Sequence, residues 1–283
     1  MPERTLRQAI ADTAALLKQG GIENPRLDAR VLTAHVIEAD TAHTFLRSDM
    51  ELTQEQEQKI GLLVGRRLVH EPVARIVGQR EFWGMPFDVT TDTLDPRADS
   101  EVLVSAIIDH RHRIGSAHPK ILDLGTGTGC ILLALLHEIP EATGVGIDLS
   151  HGALTVAQRN AARNGLSDRA NFLCMSWMEA LQGPFNIIVA NPPYLSAADM
   201  SQRSPEVRFD PERALFGGDD GLSCYRAIIG DLSRVLARPG LVAFETGLGQ
   251  ARQVSGMLES AGFRVVEVRP DLAAIPRCVV AQI

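Results

Sequence analysis

The chain has 283 residues, 45% hydrophobic and 22% charged, a balance that excludes disordered and fibrous classes and fits an ordinary soluble protein. That length exceeds the usual size of one hydrophobic core and suggests a large domain with a smaller one. A formal net charge of −7 argues against affinity that comes from wrapping a phosphate backbone, which needs clustered Lys and Arg.

Cys130, Cys174, Cys224 and Cys278 are scattered, with no C-x-x-C pair and no His at metal-ligand spacing. Reduced thiols in a cytoplasmic protein are therefore expected, and no metal site. Residues 1–20 mix Arg, Asp and Lys with apolar positions, so no signal-peptide core is expected, and no run reaches the length of a membrane span.

The first 75 or so residues read as helices. Leu6, Ile10, Ala14 and Leu17 recur at helical spacing. Asn24 before Pro25 signals an N-cap and first turn for a helix carrying Leu27, Val31 and Leu32, and a third helix from about Thr53 aligns Ile60, Leu63, Val64 and Leu68. Residues 1–80 hold 11 basic and 11 acidic side chains, so this front region is no basic arm for nucleic acid. Phe82, Trp83, Phe87 and Val89 around Gly84-Met85-Pro86 predict a short hairpin, and with "TLDPRADSE" (93–101) it reads as the joint between domains. The expected division is a helical domain over 1–78, a hairpin linker over 79–100 and a catalytic domain over 101–283.

From about residue 119 strand and helix alternate. Strands are expected at 121–125, 143–148, 171–175, 186–190, 240–245, 263–268 and 277–283, with helices at 130–138, 152–163, 225–237 and 248–261. Such alternation predicts a mostly parallel sheet covered on both faces, with ligands bound at the carboxyl ends of its strands.

Two segments at those ends carry chemistry. In "DLGTGTGC", Gly125, Gly127 and Gly129 follow a strand at a spacing of G-x-G-x-G, where missing Cβ atoms admit tight turns and close ligand approach. Asp148 ends the next strand 23 residues after Gly125, where a Rossmann-type fold keeps the carboxylate that accepts from ribose hydroxyls. No Walker lysine or pyrophosphate spacing is present, so a nucleoside without phosphate, S-adenosylmethionine, fits better than NAD.

The second segment is "VANPPYL" (189–195). Asn191 precedes a proline and is pushed into an extended conformation, Pro192 and Pro193 cannot donate to a ladder, and Tyr194 offers a flat face. Together they could hold a planar NH2 group by both hydrogens. An amide nitrogen is a poor nucleophile because its lone pair is delocalised, and two acceptors on its hydrogens could turn that pair toward a methyl carbon.

"NPPY" after an apolar strand resembles the signature of amino-group methyltransferases that use S-adenosylmethionine. The longer segments 24–36, 71–89, "EVRFDPERALFGGDDGL" (206–222), "FETGLGQ" (244–250) and "DLAAIPR" (271–277) resemble the HemK-like protein-(glutamine-N5) methyltransferases of peptide chain release factors. The resemblance implies a class I methyltransferase domain, Rossmann-like with a mostly parallel seven-stranded sheet, behind a small N-terminal helical domain that recognises substrate. It further implies that Gly125, Thr126, Gly127, Thr128 and Gly129 cradle S-adenosyl-L-methionine with Asp148, Trp177 and Asn191. Asn191, Pro192, Pro193 and Tyr194 would grip the glutamine of the Gly-Gly-Gln loop of a class I release factor. A cytoplasmic monomer that meets neither nucleic acid nor membrane directly is expected.

Two alternatives stand beside that reading: methylation of an exocyclic amine of DNA or RNA, since the bare NPPY motif is shared with such enzymes, and a non-catalytic nucleoside-binding module associated with the ribosome. The chain also departs from the family at Pro96-Arg97-Ala98-Asp99-Ser100-Glu101, where a second proline usually stands in place of Ala98; no catalytic role is expected of this segment. Glu245 is read as a paired carboxylate at a strand end. The histidines at 70, 110, 112, 118, 137 and 151 are read as surface or helix-end residues, and Trp83 as interdomain packing. "FGGDDG" (216–221) is either a turn-rich loop or part of the cofactor-side wall.

Overall fold

The computed structural model describes residues 4–283. The chain forms two compact units: residues up to Gly78 together with Ser204–Phe209, and Gln79–Arg203 together with Asp210–Ile283.

The first unit is helical, with α1 (Leu6–Gln19), α2 (Pro25–Val36), α3 (His43–Leu46), α4 (Gln54–Leu68) and α5 (Val73–Val77). Thr5 and Thr53 each close a capping box, with Gln8 and Gln56 three residues on, so α1 and α4 start with their first free N–H groups satisfied. Leu6, Leu17, Leu32, Ile60 and Val64 form the shared core. Two details differ from expectation. Asn24 makes no side-chain cap bond, and Pro25 alone, its ring fixing φ for the first helical turn, marks the start of α2. Leu27 is 61% exposed, because α2 buries Ala29, Leu32 and Thr33, a stripe that leaves Leu27 off the core.

The second unit opens with the hairpin β1 (Gln79–Phe82) and β2 (Met85–Asp88), followed by α6 (Glu101–His110). The remaining elements are β3 (Lys120–Leu124), α7 (Cys130–Glu138), β4 (Thr143–Asp148), α8 (His151–Arg163), β5 (Ala170–Cys174), β6 (Phe185–Ala190), α9 (Ala197–Ser201), α10 (Ser223–Val235), β7 (Leu236–Glu245), α11 (Ala251–Ser260), β8 (Arg264–Pro270) and β9 (Pro276–Gln282). The seven larger strands lie in the order β5-β4-β3-β6-β7-β9-β8, and only the pairings made by β9 are antiparallel. Ile121, Ile187, Val189, Leu241 and Ala243 face one core and Leu122, Leu124, Ile188, Val242 and Phe244 the other, so the central strands are apolar on both sides. The order of successive strands reverses between β3–β4–β5 on one side and β6–β7 on the other, which opens a crevice at the carboxyl ends of β3, β4 and β6.

The hairpin belongs to this unit and is no free joint. Phe82 and Phe87 are fully buried and meet edge to face at 6.1 Å. Trp83, expected as interdomain packing, donates from Nε1 to Glu138 on α7 at 2.8 Å, and its backbone N–H donates to Glu101 at 2.8 Å. Among the described residues, no helix is long and apolar enough to cross a membrane.

Candidate active site

The glycine loop is fastened before any ligand arrives. The N–H groups of Gly125 and Thr126 both donate to the carbonyl of Ile147, at 2.9 and 2.8 Å, which ties the end of β3 to the end of β4. Gly127 has φ +54, a left-handed conformation costing an L-residue roughly 1–2 kcal/mol, and its N–H donates to Asp148 Oδ2 at 3.0 Å. Asp148 Oδ1 accepts from the N–H of Ser150 at 2.8 Å, and Ser150 in turn caps α8 through Ala153 N–H. Each carboxylate oxygen keeps a further lone pair for another donor. Behind the loop, burial pushes Asp123 up to about 7; the Thr126 hydroxyl, donating at 2.6 Å, opposes this and the nearby Asp148 charge adds to it.

Gly125, Gly127, Ile147, Asp148, Trp177 and Asn191 are among the residues lining a cavity of about 320 Å³, a volume within the range of small-molecule sites. Trp177 stands at φ +41, an uncommon conformation of the kind that clusters at ligand clamps, and its ring edge lies 4.0 Å from where a Cβ on Gly125 would be. A side chain at 125 would fill the gap between the loop and the indole. Thr126, Thr128 and Gly129, expected in the cradle, do not line this cavity: both threonines are buried, and Gly129 turns the chain into α7 and packs against Ala157. The short loop presents Gly125 and Gly127 to the crevice and turns the others away.

On the opposite wall, β6 pairs with β7 as far as Ala190↔Phe244, so Asn191 and the two prolines lie beyond the ladder. Asn191 and Pro193 line the cavity. The next turns brace this corner: Leu195 N–H donates to Leu215 at 2.8 Å, Gly217 N–H to Leu195 at 2.9 Å, and Gln250 Nε2 to the Tyr194 carbonyl at 2.9 Å. A Cβ on Gly217 would stand 2.6 Å from the Pro193 carbonyl, and one on Gly221 would stand 2.4 Å from that of Tyr194. "FGGDDG", read as either a turn-rich loop or part of a wall, supplies Phe216 to the cavity wall, and its glycines lie close under the NPPY backbone. Burial pushes the Tyr194 phenol up to about 12, so it stays neutral; Tyr194, packed against the core, and the buried Pro192 are not among the residues that line the cavity.

The segment from 97 to 101, given no part by the sequence, reaches this corner. Ser100 is buried, donates to Glu245 Oε2 at 2.5 Å, and accepts from Asn191 Nδ2 at 3.2 Å. Arg97 donates to the buried Asp210 at 2.7 Å, which holds the segment down without the missing proline. Burial pushes Glu245 up to about 7; the Ser100 hydrogen bond, Arg277 and the Asn191 amide lower it, while Asp99 raises it. Among the described residues no histidine lines the cavity; His110 meets Glu267 at 2.9 Å and His70 meets Glu206 at 3.4 Å. Asp92, Leu94, Met175, Arg213 and Cys224 also line it, and none of them is expected there from the sequence.

Residues 8–78 match the PrmC N-terminal domain and residues 90–206 the methyltransferase small domain. The hMettl16 catalytic domain, solved with a MAT2A 3′UTR hairpin, shares the class I methyltransferase fold at 16% identity and a TM-score of 0.58, over 89% of this chain and 90% of that one. A release factor glutamine methyltransferase from Rhodospirillum rubrum is 46% identical over 94% of this chain and 81% of its own length. One from Bradyrhizobium diazoefficiens is 43% identical over 99% of this chain and 95% of its own. With likeness of that degree running through both the helical unit and the crevice just described, the chain belongs to the release factor glutamine methyltransferases.

Proposed function

We propose that the chain transfers a methyl group from S-adenosyl-L-methionine to the side-chain amide N5 of the glutamine in the Gly-Gly-Gln motif of class I peptide chain release factors. The observation that carries the reading is a single cavity with Gly125, Gly127 and Asp148 on one wall and Asn191 and Pro193 on the other. The side chains along it include two carboxylates, Asp92 and Asp148, one guanidinium, Arg213, and no lysine, a charge set suited to a cationic ligand without phosphates. Trp177 and Ile147 would flank the adenine and Asp148 would accept from the ribose hydroxyls. When bound, the cofactor would supply a sulfonium methyl, whose transfer would break the C–S bond with its pair left on sulfur, form the N–C bond and release one proton from the nitrogen to solvent.

The chain's own work is positional. Asn191 Oδ1 and the Pro192 carbonyl would accept the two amide hydrogens of the glutamine, and the neutral Tyr194 ring would stack on its plane. The helical unit would recognise the body of the release factor, and its balanced charge gives no support to a nucleic-acid substrate. The enzyme would act as a monomer, and its four free cysteines are in keeping with a cytoplasmic setting. Incubation with labelled cofactor and either an intact class I release factor or nucleic acid, followed by mass spectrometry of the Gly-Gly-Gln peptide, tests this. A mass gain of one methyl on that glutamine is expected, and label confined to nucleic acid would overturn the assignment.

A further inference from the structure

The end of Asn191 that must face substrate is an acceptor, yet a primary amide can turn over and present its NH2 instead. Something has to choose, and the contacts at the end of β7 do so. In its ionised form Glu245 can only accept, so the Ser100 hydroxyl donates to Oε2 at 2.5 Å and keeps only lone pairs to offer, and Asn191 Nδ2 donates to that oxygen at 3.2 Å. We propose that Ser100 and Glu245 are positioning residues for methyl transfer, a relay that pins the Asn191 NH2 and so dedicates Asn191 Oδ1 to the substrate amide.

Three features make the relay a built one. Ser100 and Glu245 are both buried, so water does not compete for the hydroxyl. The backbone on both sides is held: the Glu245 carbonyl accepts from the buried Tyr225 hydroxyl at 2.8 Å, and the Ser100 N–H donates to Arg97 at 3.0 Å. The three side chains come from the start of α6, the end of β6 and the end of β7, separated by 91 residues between Ser100 and Asn191 and 145 between Ser100 and Glu245. A flipped amide would turn its Oδ1 toward an oxygen that has no proton left to give, so the flip costs a hydrogen bond and sets two acceptors against each other.

The inference deepens the proposed reaction and rests on it, so its test includes a measurement that needs neither cofactor nor substrate. In the full-length unliganded protein, the Asn191 side-chain NH2 resonance is assigned by its loss in Asn191→Asp, and its proton exchange is measured. Ser100→Ala should speed that exchange about tenfold or more, and Ser100→Thr, which restores a hydroxyl, should return it toward wild type. With an intact class I release factor, Ser100→Ala should lower kcat by ~30- to 100-fold with the cofactor Kd within about twofold, Glu245→Gln should fall between it and wild type, and Ser100→Thr should recover most of the rate. Unchanged exchange in Ser100→Ala, or a loss of rate that follows the melting temperature across the three variants, would overturn the relay. A wild-type enzyme that methylates no release factor would overturn the reaction, while the exchange measurement would still decide the relay.

Discussion

Glu245 favours its neutral form in the fold. Its ordinary value of 4.5 is raised to about 7, first by burial, so between those two pH values the folded chain holds a proton that the unfolded chain has released. The stabilising contribution is complete below about 4.5 and is lost as pH rises through about 7, an effect on the order of 3 kcal/mol. Glu245→Gln should therefore flatten the decline of unfolding free energy across that window, measured by urea denaturation at a series of pH values. Gly127 answers a different question at the same scale. Its φ of +54 disfavours a side chain, but nothing nearer than a carbonyl at 4.0 Å surrounds the place of a Cβ, so Gly127→Ala should fold with about 1 kcal/mol less stability. Because that position lines the cavity, S-adenosylmethionine binding should weaken by roughly tenfold in calorimetry.

Elements were the most legible level. The sequence placed α7 and β4 at their observed limits, because an apolar helix between a glycine loop and an acid-ended strand has few other ways to be read. The start of β7 was missed. It pairs from Leu236, four residues before the expected start, and between Phe185↔Leu236 and Ile187↔Leu241 the register shifts to accommodate Ala237 to Gly240. Pro239 inside that irregularity reads locally as a stop, since proline in a regular central strand would remove a ladder bond. Asn160 on α8 is also silent in sequence, one of several polar residues in an Ala-rich helix. Folded, it is fully buried and joins three elements: it accepts from Asp88 N–H at 2.7 Å and donates to the carbonyls of Asp88 and Thr128 at 3.2 and 2.9 Å. Asn160→Ala should cost ~2–4 kcal/mol by leaving the hairpin and the glycine loop without their common partner, seen as a lower denaturant midpoint.

Across the whole molecule, sequence order and spatial unit part company once. Ser204–Phe209, shortly after the NPPY segment, belongs to the helical unit. Within that unit the buried Arg67 holds Asp28 at 2.7 Å and Glu206 at 3.2 Å, and His70 reaches Glu206 at 3.4 Å. Arg67→Ala would strand a buried carboxylate, so a loss of ~3–5 kcal/mol in the stability of the helical unit is expected by calorimetry. The cofactor affinity should stay within about twofold, since the cavity is lined from Asp92 to Cys224 by residues of the other unit.

Sequence by itself determined the sheet class, the glycine loop, Asp148 and the NPPY corner, because each is written in contiguous residues whose local conformation is dictated by Gly, Pro or apolar period. Tertiary structure alone decided which loop residues face the cavity, that Phe216, Met175 and Arg213 help to wall it, and that Ser100 and Glu245 stand behind Asn191. Those placements depend on where strand ends converge in a twisted parallel sheet, a relation between residues about a hundred apart that no local pattern encodes.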